Sequence, residues 1–248
     1  MVQISVCPLK LVSERAYKPI SNILLLMIPP DELRRRLSSF PPGYWEDFNK
    51  FWRWKIKVET DASTHILDDY RRKEAYSRLC PILSAWKTYR NGNNLSWRET
   101  LKDSLNNISE TYNRLRNYSL LDFESIPIET LEKCWHELGR VKEKDGAPNK
   151  YGYYSIISVS KPLLLIWGQT LAFDSLVRKH IPASYNISRY SCNWNMNEWI
   201  RIMGQFSKNL NADENLLKFM RGETKRIYGK NTIVPFGRFL DIFYWVGS

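Results

Sequence analysis

Apolar side chains along this chain recur at three- and four-residue intervals, and that period is the strongest constraint on what it folds into. Trp45, Phe48, Phe51 and Trp52 follow Pro41-Pro42-Gly43 at helical spacing. Ile128, Leu131, Trp135 and Leu138 run between Pro127 and Gly139, a helix with its start and stop signals in place. Asn197 is read as the cap of a helix whose stripe is Ile200, Met203, Phe206 and Leu210, and Phe236, Phe239, Leu240 and Phe243 form another near the C-terminus. Period-two alternation is confined to pieces such as Lys55-Ile56-Lys57-Val58, too short to build a sheet. The spacing predicts an all-α fold.

Breakers divide the pattern. Pro29-Pro30 and Pro41-Pro42-Gly43 set off an N-terminal segment. Asn91-Gly92-Asn93-Asn94 reads as a turn, with Ser96 and Glu99 in capping-box relation after it. Lys142 to Gly152 reads as a charged loop, and Ile181-Pro182-Ala183-Ser184 closes a later element. No internal repeat, low-complexity tract or heptad seam is present.

With 43% hydrophobic and 14% aromatic residues in 248, the chain has enough apolar material for a core and is not disordered as a whole. Its 37 Lys and Arg against 26 Asp and Glu leave a charge of +11, which favours a polyanionic partner. The cations cluster at Arg34-Arg35-Arg36, Arg71-Arg72-Lys73, Lys142 with Lys144, Arg178-Lys179-His180, and Lys225-Arg226 with Lys230. Together with ten Trp and fourteen Tyr they fit a surface that contacts phosphates and stacks bases, although each cluster alone also fits a solvated helix face. The longest apolar run, Ile23 to Ile28, is too short for a bilayer and ends at Pro29-Pro30-Asp31-Glu32 rather than at a cleavage site. A soluble, intracellular, monomeric protein with no membrane partner is expected. Cys7, Cys80, Cys134 and Cys192 stand more than fifty residues apart, outside any metal-loop spacing, so buried thiols and no metal are expected.

Phosphate-binding glycine loops, the nucleophile elbow and the His-Glu-x-x-His zinc motif are absent, and His65, His136 and His180 are dispersed. The informative stretch is Tyr151 to Pro182. It reads as a turn, an apolar helix from Val159 to Trp167, a connection, and then Asp174 opening a helix that carries Arg178 and Lys179. Ser160-Lys161-Pro162-Leu163-Leu164 and Asp174-Ser175-Leu176-Val177-Arg178 resemble the helix-hairpin-helix DNA glycosylase superfamily, over about thirty residues. Members carry a hairpin, an apolar helix and an Asp followed by Val-Arg; divergent members begin the apolar helix with Ser-Lys-Leu-Leu.

The resemblance implies two helical domains with a cleft between them, one built from residues 1–75 and 174–248 and the other from 76–173. It implies that Asp174 supports loss of a base flipped out of double-stranded DNA, by orienting water or balancing the positive sugar of the transition state. It places the hairpin at Tyr153 to Ser158, with Tyr153, Tyr154 and Ser155 gripping a phosphate, joined by Lys161, Arg178 and Lys179. The chain departs from the family at two points. The hairpin lacks Gly-x-Gly, and the place of the family's nucleophilic Lys falls near Ile156 or Ile157, with Lys161 too close to Asp174. A monofunctional enzyme without a cofactor is therefore expected. Trp135 and Trp167 read as core; Trp52, Trp54 and Trp86 flank basic residues and are candidates for the base pocket. Arg238 and Asp241 read as a structural pair at i, i+3. Two other readings stay open: a DNA-binding protein on the same fold without chemistry, in which Asp174 is only a helix cap, and a basic helical protein that docks on an acidic partner.

Overall fold

The protein is described here from a computed structural model, over residues 28–61, 63–89, 96–142, 154–187, 194–230 and 232–247. Eleven α-helices lie among these residues: α1 (Pro30–Ser39), α2 (Pro42–Val58), α3 (Arg72–Ala85), α4 (Trp97–Asn107), α5 (Ser109–Leu115), α6 (Ile128–Gly139), α7 (Ile156–Trp167), α8 (Ser175–His180), α9 (Met196–Asn211), α10 (Glu214–Tyr228) and α11 (Phe236–Val246). Among the described residues there is no strand, only an isolated antiparallel bridge between Tyr154 and Trp194. The all-α expectation holds. No helix among them is long and apolar enough to cross a membrane.

Packing gathers the helices into two groups. α3 to α7 pack on one another, with α2 laid across α3 and α7. α1 and α8 pack on α11, α1 also touches α10, and α9 joins α10 to the turn Leu120–Ser125. α2 ties the groups together: Tyr228 of α10 donates to Asn49, and Arg238 of α11 donates to the Tyr44 carbonyl. One continuous apolar cluster runs through both groups.

α7 is the central helix, buried along nearly its whole length. It begins at Ile156, three residues before the expected start, and Pro162 lies inside it. Proline is most at home in a first helical turn, and tertiary burial of the flanking apolar residues carries the helix through it here. α7 ends at Gly168, whose φ of +76 is a left-handed cap. A Cβ there would sit 2.3 Å from the Trp52 ring, so the helix end and α2 meet only because the residue is glycine. Cys80 and Cys134 are buried free thiols; Cys7 and Cys192 lie outside the described residues.

Other local expectations shift. α9 is capped by Asn195, which accepts from the Glu198 N–H at 2.8 Å, and Asn197 lies inside the helix. Ser96 opens α4 without a side-chain cap bond, whereas Ser119 and Asp122 form a capping box at the turn Leu120–Ser125. The turn at 91–94 lies outside the described residues, as does nearly all of the charged loop.

Candidate functional site

The segment Gly168–Asp174 links α7 to α8 and is held from several sides. Gln169 accepts from the Leu120 N–H at 2.9 Å and donates to the Val234 carbonyl at 2.9 Å. Gly237, in the first turn of α11, lies against the Gln169–Thr170 backbone so closely that a Cβ would come within 2.3 Å of the Thr170 carbonyl oxygen. Ser160 of α7 donates to the Ala172 carbonyl at 2.6 Å, and the Ala172 N–H donates to Asp241 Oδ1 at 2.8 Å. Arg178 of α8 donates back to the Phe173 carbonyl.

These restraints hold Phe173 at φ +46, a left-handed conformation that costs an aromatic residue about 1 kcal/mol or more. Its ring is fully buried and packs on Trp194 at 5.0 Å. The next residue is Asp174. Its Oδ1 accepts from the Leu176 and Val177 N–H groups at 3.0 and 3.1 Å and so caps α8, a contribution of about 1 kcal/mol. Among the described residues no hydrogen bond reaches Oδ2. One carboxylate oxygen fixes the side chain and the other is left for something else.

Asp174 stands on the wall of an open cavity of about 320 Å³. Its mouth is Tyr44, Lys87, Ser175 and Leu176, with Tyr44 and Leu176 37% and 38% exposed. Deeper in are Phe40, Trp86, Lys161, Ala172, Arg238 and Asp241, with Ile157 and Trp245 at the sides. The expected division of the chain, residues 76–173 against the rest, runs through this lining.

The depth of the cavity carries paired charges in an aromatic frame. Arg238 Nη1 donates to Asp241 Oδ2 at 2.7 Å, both side chains almost wholly buried. The Arg238 guanidinium lies 4.9, 5.0 and 5.2 Å from the ring centroids of Phe40, Phe48 and Trp86, a cation–π setting that offsets part of its lost hydration. Burial pushes the Asp241 carboxyl up to about 6 against the opposing pull of Arg238. Burial also pushes the Lys161 ammonium down from its ordinary value, while Asp174 and Asp241 favour its charge. Lys161 Nζ donates to the Trp86 carbonyl at 2.7 Å, which pins the amine in the cavity wall.

The sequence-derived candidates divide accordingly. Asp174, Lys161 and Trp86 come together at the cavity. Lys161 is not a solvated first-turn residue open to a DNA strand; it is 7% exposed in the second turn of α7, because that helix starts earlier than Pro162 suggests. Arg178 is buried and committed to Phe173, so it clamps the Asp174 turn rather than meeting solvent phosphate. Lys179 is exposed on α8. Trp52 belongs to the core, stacked on Phe48 at 5.3 Å and against Gly168, and Trp54 is half-buried with the Arg78 guanidinium 4.9 Å from its ring; neither lines the cavity. Tyr153 lies outside the described residues. Tyr154 and Ser155 are buried, Tyr154 against Gly139, and Ile156 to Ser158, expected within a hairpin, are the first turn of α7. Phe40, Tyr44, Lys87 and Trp245 also line the cavity without a local sequence signal; Phe40 and Tyr44 flank the proline break at Pro41-Pro42.

Among the described residues no group of three His, Cys, Asp or Glu is arranged to hold a metal ion. No protein-family model, curated protein or solved structure matches this chain.

Proposed function

We propose that the chain is a monofunctional DNA glycosylase, a hydrolase of N-glycosidic bonds, on a two-lobed helical fold of the helix-hairpin-helix glycosylase kind. A damaged or modified base leaves the duplex and enters the cavity past Tyr44 and Leu176. The Asp174 carboxylate faces the positive charge that grows at C1′ as the bond to the base breaks. Water then bonds to C1′, its proton passes to the carboxylate or solvent, and the base leaves with the bonding electron pair and takes up a proton. A preorganised carboxylate near such a centre lowers the barrier without having to reorganise.

The observation that carries this reading is Asp174 itself. It is fixed through Oδ1, has no hydrogen bond at Oδ2 among the described residues, follows a strained Phe173 and stands on an open aromatic-lined cavity. The net charge of +11 suits a polyanionic partner. The test is base release from duplexes carrying damaged, mismatched or modified bases, followed by hot alkali, for wild type and Asp174→Asn. Strand cleavage by wild type alone supports the reading. Equal cleavage by both proteins rejects Asp174 as the catalytic carboxylate.

Lys161 favours a second reading. Its amine is pinned in the same cavity and burial lowers its proton affinity, which raises the share of nucleophilic neutral amine. In this reading Nζ bonds to C1′ as the base departs with a proton, and the ring opens to an imine. Borohydride reduction during turnover would then give a covalent protein–DNA adduct that Lys161→Gln lacks; no adduct leaves hydrolysis.

A further inference from the structure

The end of α3 carries a feature that the catalytic reading does not use. The Thr88 N–H donates to the Leu83 carbonyl at 3.0 Å and the Lys87 N–H to the Ser84 carbonyl at 3.0 Å, closing the helix with Lys87 at φ +52. This is the position after a helix where glycine is favoured and where a long side chain is strained. The strained residue is a lysine, and its side chain is exposed. It stands at the mouth of the Asp174 cavity and, on its other side, lines a second hollow of about 260 Å³ with Ser84, Thr88, Tyr89 and Trp97.

The other cations of the main cavity are already committed. Lys161 is buried on the Trp86 carbonyl, and Arg238 is buried on Asp241 and the Tyr44 carbonyl. Lys87 makes no ion pair among the described residues. It also follows Trp86 directly, the residue whose ring walls the cavity and whose carbonyl holds Lys161. An anion held by Lys87 would lie beside the wall that leads to Asp174.

We infer that Lys87 is the phosphate contact of this site, gripping the DNA backbone at the nucleotide whose base enters the cavity; the identity of that partner rests on the glycosylase reading. A lysine near a helix C-terminus also interacts favourably with the helix dipole, so the test separates a ligand contact from a structural one. Binding of a duplex with a tetrahydrofuran abasic site is measured across salt concentrations for wild type, Lys87→Asn and Lys218→Asn. Asparagine tolerates the left-handed conformation, so Lys87→Asn is expected to melt at or above the wild-type temperature. Lys218 is an exposed residue of α10 away from the cavity and controls for loss of one charge.

The expected result for Lys87→Asn is a slope of log affinity against log salt that is shallower by about 0.9, and affinity weaker by roughly an order of magnitude at 0.1 M salt. Lys218→Asn is expected to leave both unchanged. An unchanged slope in Lys87→Asn, or an equal loss in Lys218→Asn, overturns the assignment. A wild type that binds no duplex overturns it together with the glycosylase reading. If Lys87→Asn loses the slope while wild type shows no preference for a cationic pyrrolidine site over tetrahydrofuran, the Lys87 contact stands and the glycosylase reading falls.

Discussion

The Asp241 carboxylate joins the Arg238 guanidinium, at 2.7 Å, to the backbone N–H of Ala172, at 2.8 Å, two residues before Asp174. A single buried side chain thus pairs with the cation beneath the cavity and anchors the segment that presents the candidate catalytic group. Removing one partner of such a pair leaves a buried charge alone. Arg238→Met, which leaves the Asp241 carboxylate buried without its partner, is expected to cost about 3 kcal/mol or more in denaturant unfolding at neutral pH. The double variant Asp241→Leu, Arg238→Met is expected to lose less than the sum of its single changes; strict additivity would show that the two do not act as a pair.

The same carboxyl sets a pH dependence. Its folded value is about 6 against an ordinary 3.8, so the folded protein holds this proton more tightly than the unfolded chain. The resulting contribution to stability is full below about 4 and is lost as pH rises through about 6. The difference in unfolding free energy between wild type and Asp241→Asn should therefore change across pH 4 to 6 and stay level above it. A difference that is flat over the whole range would contradict the buried setting of Asp241.

Gly168 is predicted to be nearly irreplaceable. Alanine there meets both a left-handed backbone and the Trp52 ring, for a combined loss of about 3 kcal/mol. Gly222, which has open space around its Cβ position in α10, is the contrasting site, where alanine should be neutral or mildly stabilising through helix propensity. Thermal melts of the two variants check the pair.

Capping and chemistry at Asp174 are separable. Asparagine is as good an N-cap as aspartate, so Asp174→Asn should unfold within about 0.5 kcal/mol of wild type, whereas Asp174→Ala should lose about 1 kcal/mol. Both should lose base release. Retained activity in the asparagine variant would leave Asp174 as a cap and nothing more.

What could be read from the sequence follows the range of the forces involved. The Asp174 cap, the α6 span from Ile128 to Gly139 and the Arg238–Asp241 pair are set within one or two helical turns, and all three were legible. The start of α7 was not, because Pro162 is a strong local signal that only burial against distant helices overrides. Tyr154 reads as a hairpin residue and Trp52 as a base-pocket candidate beside Arg53, yet each fills the space left by a glycine elsewhere in the chain, Gly139 and Gly168. Lys161 was legible as a cation but not as a buried one, since the carbonyl that pins it lies 75 positions away at Trp86. Phe40 and Tyr44 reach the cavity through the packing of α1 on α11 and of α2 on α3 and α7, which no local pattern encodes.

A carboxylate poised to face a positive sugar is measurable without knowing which base is removed. Duplexes carrying a pyrrolidine site, cationic at the sugar position, and a neutral tetrahydrofuran site are compared for binding to wild type and to Asp174→Asn. Wild type is expected to prefer the cationic site by about tenfold or more, the scale of one charge-assisted hydrogen bond, and Asp174→Asn to lose the preference. Equal affinity of wild type for the two sites, or a preference that survives in Asp174→Asn, would contradict this role of Asp174.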